Sequence, residues 1–136
     1  MLRIDRVLES FRVYSWNKDF SWSKHNCVSF SLQIVSALHG INLINKYKIM
    51  GTSKMEYLRM LKKEGVLLSD LTRDNFGQEL ISPRLARKGD VLIEGTGYLQ
   101  NMGICYGNGV GYFLKENGLE NIKTEDCSYA WRVNDG

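Results

Sequence analysis

Asn26-Cys27-Val28-Ser29-Phe30-Ser31-Leu32-Gln33-Ile34-Val35-Ser36-Ala37-Leu38 is the stretch whose reading fixes the fold. Its apolar side chains Val28, Phe30, Leu32, Ile34, Val35, Ala37 and Leu38 cover more than one helical face. That is the pattern of a helix buried at the centre of a domain rather than laid on its surface. Asn26 has the side chain of an N-cap, and Gly40 that of a C-terminal stop. Cys27 then falls in the first turn, where the helix dipole favours a thiolate and free backbone N–H groups can hold an oxyanion. A cysteine nucleophile requires such a seat, although most free cysteines serve only as small buried apolar side chains.

Toward the N-terminus, Ile4, Val7, Leu8 and Phe11 follow the i, i+3, i+4, i+7 spacing of an amphipathic helix, with Arg3, Arg6, Glu9 and Arg12 opposite. The stretch from Tyr14 to Trp22 has no apolar period and reads as a loop. Toward the C-terminus, Ser53 and Glu56 form a capping box. Met55, Tyr57, Leu58 and Leu61 supply the apolar side of that helix, and Lys62-Lys63 precede Gly65. A short helical turn is expected from Ser69 to Asn75. Pro83 opens a basic connector, Pro83-Arg84-Leu85-Ala86-Arg87-Lys88, which ends in Gly89-Asp90.

Beyond Asp90 the period changes. Val91-Leu92-Ile93, Met102 to Tyr106 and Val110 to Leu114 read as strands, and a further pair is expected at Leu119–Lys123 and Tyr129–Val133. Gly107-Asn108-Gly109-Val110-Gly111 is rich enough in glycine to suggest a phosphate loop, but it leads into a strand and not into a helix N-terminus, so it reads as a hairpin turn. Helices first and antiparallel strands second make an α+β fold. No linker or repeat divides the chain, and residues 1–136 read as one domain.

Composition narrows the function classes. With 43% hydrophobic and 24% charged residues, the 136-residue chain can build a real core. No apolar run approaches the roughly 18 residues of a membrane-spanning helix, so no membrane insertion is expected. The first residues, Met1-Leu2-Arg3-Ile4-Asp5-Arg6, lack the apolar stretch of a secretory leader. A formal charge of +3 is too small and too scattered for a nucleic-acid footprint, and Arg84, Arg87 and Lys88 are too few to make one. The three cysteines, an odd number, predict no disulfide, and Cys105 and Cys127 read as structural. With only His25 and His39 beside them, no zinc-finger or zincin spacing occurs except that His25 and Cys27 sit two apart with nothing similar elsewhere, and no metal or cofactor is expected.

Several segments carry a family resemblance. Trp22-Ser23-Lys24-His25-Asn26-Cys27, opening a buried helix, resembles the nucleophile segment of NlpC-type cysteine peptidases, the papain-like cell-wall hydrolases, which usually carry Asp-Cys there. Leu85-Ala86-Arg87-Lys88-Gly89-Asp90-Val91-Leu92-Ile93 is similar to their Gly-Asp element entering the first core strand. Asn101-Met102-Gly103-Ile104-Cys105-Tyr106-Gly107-Asn108-Gly109 is similar to their His-Val-Gly-Ile-Tyr strand and turn. Gly118-Leu119 and Cys127-Ser128-Tyr129-Ala130-Trp131-Arg132-Val133 resemble a small branch of that superfamily found in phage and prophage genomes. Together these segments span about residues 20 to 133.

The resemblance implies a papain-like, NlpC-like α+β fold with N-terminal helices on a C-terminal antiparallel sheet that starts at Val91. It implies Cys27 as nucleophile. Trp22, shortly before that residue, is read as a substrate-binding side chain because sugar faces stack on aromatic rings, while Trp16, Phe20, Tyr112, Tyr129 and Trp131 are read as packing. The resemblance also exposes a gap, because the family's base histidine aligns with Asn101, and a carboxamide takes no proton at neutral pH. The third, polar position of the triad falls near Phe113. His39, twelve residues along the same helix, stands about 18 Å from Cys27, which leaves His25 as the candidate base within the chain. Two functions follow. One is a catalytically weak or inert domain, made in the host cytoplasm and serving a structural or assembly role among other proteins of a phage virion tail. The other is a thiol hydrolase cleaving peptidoglycan peptides, with its base from His25 or a partner chain. The replaced histidine favours the first.

Overall fold

The computed structural model describes residues 3–16, 26–39, 68–75 and 77–133, together with the separate positions 55, 59, 62 and 63. Helix α1 spans Arg3–Trp16, α2 Cys27–His39 and α3 Leu68–Asn75. Six strands follow: β1 Gly77–Ile81, β2 Val91–Glu94, β3 Asn101–Gly107, β4 Val110–Lys115, β5 Gly118–Lys123 and β6 Tyr129–Val133. They make one antiparallel sheet in the order β1-β6-β2-β3-β4-β5. The chain's last strand is therefore inserted between β1 and β2.

Helix α2 begins where Asn26 caps it. The Asn26 Oδ1 accepts the backbone N–H groups of Val28 and Ser29, each at 3.0 Å, and the Asn26 N–H donates back to Ser29 Oγ at 2.8 Å. The serines that interrupt the apolar run stay within the helix. Ser29 Oγ donates to the Asn26 carbonyl and Ser31 Oγ to the Cys27 carbonyl, which is how buried hydroxyls escape an unmet hydrogen bond. The helix can then be buried nearly all round. Phe30, Ile34 and Val35 are fully buried and pack with Val91, Ile93, Met102, Ile104, Leu114 and Trp131 from one face of the sheet. Each such side chain contributes about 2 kcal/mol by leaving water.

Helix α1 lies beside α2, and hydrogen bonds tie it both to α2 and to the sheet. Arg3 donates to the Ala37 and Leu38 carbonyls at the end of α2, and Tyr106 Oη donates to the Leu8 carbonyl at 2.7 Å. The Tyr106 ring meets Tyr112 edge-on, with centroids 4.6 Å apart. The opposite sheet face carries a smaller cluster of Leu92, Cys105, Phe113, Cys127 and Ala130, with Ile81, Ala86 and Ile122 packed against it.

Several sequence expectations need correction. Helix α1 runs on to Trp16, three residues into the stretch read as loop. The sheet does not start at Val91, because β1 precedes it as an edge strand. Gly77-Gln78-Glu79-Leu80-Ile81 is half polar and carries a register shift between Gly77 and Glu79, so it has no clean alternation to read. Positions 55, 59, 62 and 63 are helical, as the capping box predicts, yet Met55 is 61% exposed and does not contribute to a buried side. The rest of that helix, the Gly40 stop, and Phe20 lie outside the described residues.

The Gly-rich stretch is a hairpin turn. Gly107 pairs with Val110, and Asn108 and Gly109 take φ of 55° and 73°, the left-handed pair of a two-residue hairpin loop. Gly103 answers a different need. A Cβ there would lie 2.5 Å from the Phe113 ring and 2.6 Å from the Tyr112 carbonyl oxygen, and backbone cannot yield as a flexible side chain does. Gly103→Ala should therefore lower stability by about 2 kcal/mol, read as a lower denaturant midpoint at unchanged slope. A change within about 0.5 kcal/mol would contradict this packing.

Candidate functional site

The Asn26 cap seats Cys27 in the first turn of α2, as the sequence predicts, and α2 packs on β3 and β4. The sulfur is sealed there, since Cys27 is only 5% exposed. Burial pushes its thiol up to about 11, and the backbone N–H groups of Met102 and Val28 and the Lys115 ammonium offset only part of that. At pH 7 such a group is thiolate in on the order of one molecule in ten thousand. The donors expected around a nucleophile are present, but desolvation outweighs them.

Asn101 opens β3 opposite Glu94 of β2. Its Nδ2 donates to Glu94 Oε1 at 2.8 Å and to the Leu99 carbonyl at 3.4 Å. The same Glu94 oxygen lies 2.6 Å from Lys115 Nζ, and Lys115 reaches Glu120 at 3.3 Å. Burial pulls the Lys115 ammonium down, but the two carboxylates outweigh it and hold its pKa above the ordinary lysine value, so this nitrogen stays protonated and is no base. Strand alternation fixes where the cluster points. Met102 and Ile104 of β3, Val91 and Ile93 of β2, and Leu114 of β4 pack with α2, whereas Leu92, Cys105 and Phe113 belong to the other cluster. Glu94, Asn101 and Lys115 alternate with the first set, so they rise from the same sheet face as Leu92, Cys105 and Phe113.

Phe113, where the resemblance puts the third triad position, is fully buried beneath that second face and offers no polar atom. His25 and Trp22 lie outside the described residues. His39 ends α2, at the opposite end from Cys27. Trp131 is buried against α2, and Tyr112 packs on Tyr106, so both serve in packing, while Tyr129 is 40% exposed. Cys105 and Cys127 are free and buried. Burial raises both thiols, Cys127 to about 12, and the Cys127 Sγ donates to the Lys123 carbonyl. Among the described residues no group of three His, Cys, Asp or Glu side chains is arranged to hold a metal ion.

The Gly-Asp element has a structural purpose. Asp90 Oδ2 accepts the Arg87 N–H at 2.8 Å, closing the turn that delivers β2, and Gly89 and Asp90 extend the ladder to Cys105. On the other flank, the buried Gln100 accepts from Ser69 N and Oγ, which fixes the start of α3 beside the residue that leads into Asn101. Sequence reading missed Glu94 and Lys115. Their signal, a carboxylate and an amine ending the two strands that flank β3, becomes legible only once β2, β3 and β4 are placed side by side.

Comparison with known proteins agrees with this architecture. The crystal structure of the NlpC/p60 domain of the peptidoglycan hydrolase SagA superposes with a TM-score of 0.59 at 12% identity, covering 95% of this chain and 98% of that one. The fold is thus NlpC-like α+β, with N-terminal helices packed on a six-stranded antiparallel sheet. No curated protein matches. The family model described as "Domain of unknown function (DUF6950)" matches residues 3–133, and the chain belongs to that family.

Proposed function

We propose that this chain is a catalytically inert NlpC-type domain that serves a structural or assembly role in a phage virion tail. One observation carries the loss of turnover: the family's base position holds Asn101, whose amide is committed to Glu94. Without a base to return a proton to the leaving amine, hydrolysis loses a factor of about 10² to 10⁴. The sealed sulfur adds to that loss, because thiol attack proceeds through the thiolate. The tail setting is supported by the resemblance of residues 118–119 and 127–133 to the phage and prophage branch. In this reading the chain is made in the host cytoplasm, and its partners are other tail proteins, with peptidoglycan as a surface it meets.

The competing reading is a thiol hydrolase that cleaves peptidoglycan peptides, with Cys27 as nucleophile. The amides of Met102 and Val28 that reach the Cys27 sulfur favour it, since they would suit an oxyanion. His25 or a second chain would have to supply the base.

Peptide release decides between the two. Purified peptidoglycan incubated with the full chain should release no more peptide than with Cys27→Ala, as read by chromatography of the soluble fraction. Asn101→His should not restore release, because the Cys27 sulfur would stay sealed and protonated. Release that depends on Cys27, in the parent chain or in Asn101→His, would overturn the inert reading. Separately, mass spectrometry of purified virions should find the chain together with tail proteins, and its absence from the particles would remove the tail assignment.

A further inference from the structure

At the end of α2 remote from Cys27, the start of α1, the turn into β2 and the end of β6 enclose a cavity of about 490 Å³. Among the described residues, its charged lining is Arg3, Arg87, Lys88 and Arg132 against one carboxylate, Asp90. Two of these cations have firm partners. Arg3 is held at the rim by the Ala37 and Leu38 carbonyls, and Lys88 Nζ lies 2.7 Å from Asp5. The other two do not. Among the described residues, Arg132 reaches Asp90 only at 3.6 Å and the Leu85 carbonyl at 3.4 Å, and its buried Nε has no acceptor. Arg87 is exposed and makes no salt bridge among the described residues, because Asp90 accepts its backbone N–H rather than its guanidinium.

A concave wall with this excess of positive charge, including two under-used guanidinium groups, is built for an anion. The volume lies within the range of small-molecule sites, about 300 to 1,000 Å³, so it admits an organic body and not only a monatomic ion. We infer that this cavity binds a small ligand carrying at least two negative charges on phosphate or carboxylate oxygens, gripped by Arg87 and Arg132. Planar guanidinium forks suit both oxyanions, which is why the chemistry is shared between the two sources. Part of the basic connector, too short for a nucleic-acid footprint, thereby gains a local purpose: Arg87 and Lys88 face the cavity, while Arg84 lines a different one.

Isothermal titration calorimetry on the full chain, with pyrophosphate in one arm and citrate in the other at matched physiological ionic strength, tests this. Saturable binding at one site per chain is expected in at least one arm, and the arm identifies the source. Arg87→Gln should weaken it about tenfold. Arg84→Gln, an exposed charge change three residues away, should leave it within about twofold. No saturable binding in either arm overturns the inference. Equal weakening by the two variants also overturns it, because that is the signature of general charge screening rather than of a site.

Discussion

The carboxamide of Asn26, closing on the amides of Val28 and Ser29, is the contact on which the rest of the structure depends. A helix start leaves backbone donors unmet, and this one is buried, so no water substitutes for the cap. With the cap in place, α2 begins at Cys27, Phe30 and Ile34 meet the sheet, and the sulfur arrives at Met102. The arrangement that makes an NlpC-like nucleophile seat is thus first a solution to a buried helix end. It survives whether or not the sulfur reacts.

Catalysis needs more than that seat, and the sheet decides what else is available. On the α2 side, the strands offer Val91, Ile93, Met102, Ile104 and Leu114, none of which moves a proton. They also offer two tyrosines, of which Tyr106 donates to the Leu8 carbonyl and Tyr112 packs on the Tyr106 ring. The polar groups at the same level, Glu94, Asn101 and Lys115, rise from the other face and satisfy one another. A mutually paired carboxylate, amide and ammonium resemble active-site furniture in composition only. Their pairing lowers the need for any external partner and steadies the ends of three strands.

Much of this was legible in the sequence, and the parts that were not share a cause. The buried helix, its cap, five of the six strands and the hairpin turn were readable because each rests on local pattern or turn chemistry. The Gly107–Val110 pairing also follows from the turn alone. From it, however, Ile104 would face Phe113, which would place that ring on the α2 side. A register shift between Cys105 and Gly107 instead sets Ile104 opposite Tyr112 and Cys105 opposite Gly111, and Phe113 falls under the second face. One extra residue in a ladder exchanges the faces of everything beyond it, and no composition reveals it. The edge strand β1 was lost for a related reason, being short and irregular. The Glu94–Lys115 contact joins strands distant in sequence, so only the assembled sheet displays it.

The account rests on a Cys27 thiol that is buried, protonated and, among the described residues, without a base. Its titration is the most direct test: selective labelling of the cysteine Cβ carbons, assigned with Cys27→Ser, followed by nuclear magnetic resonance across the alkaline range. Because burial raises the folded-state value, the proton should stay on through neutral pH and leave only near a midpoint of about 11. A Cys27 midpoint at or below about 8, under the ordinary thiol value, would reveal an activated thiolate and contradict the account.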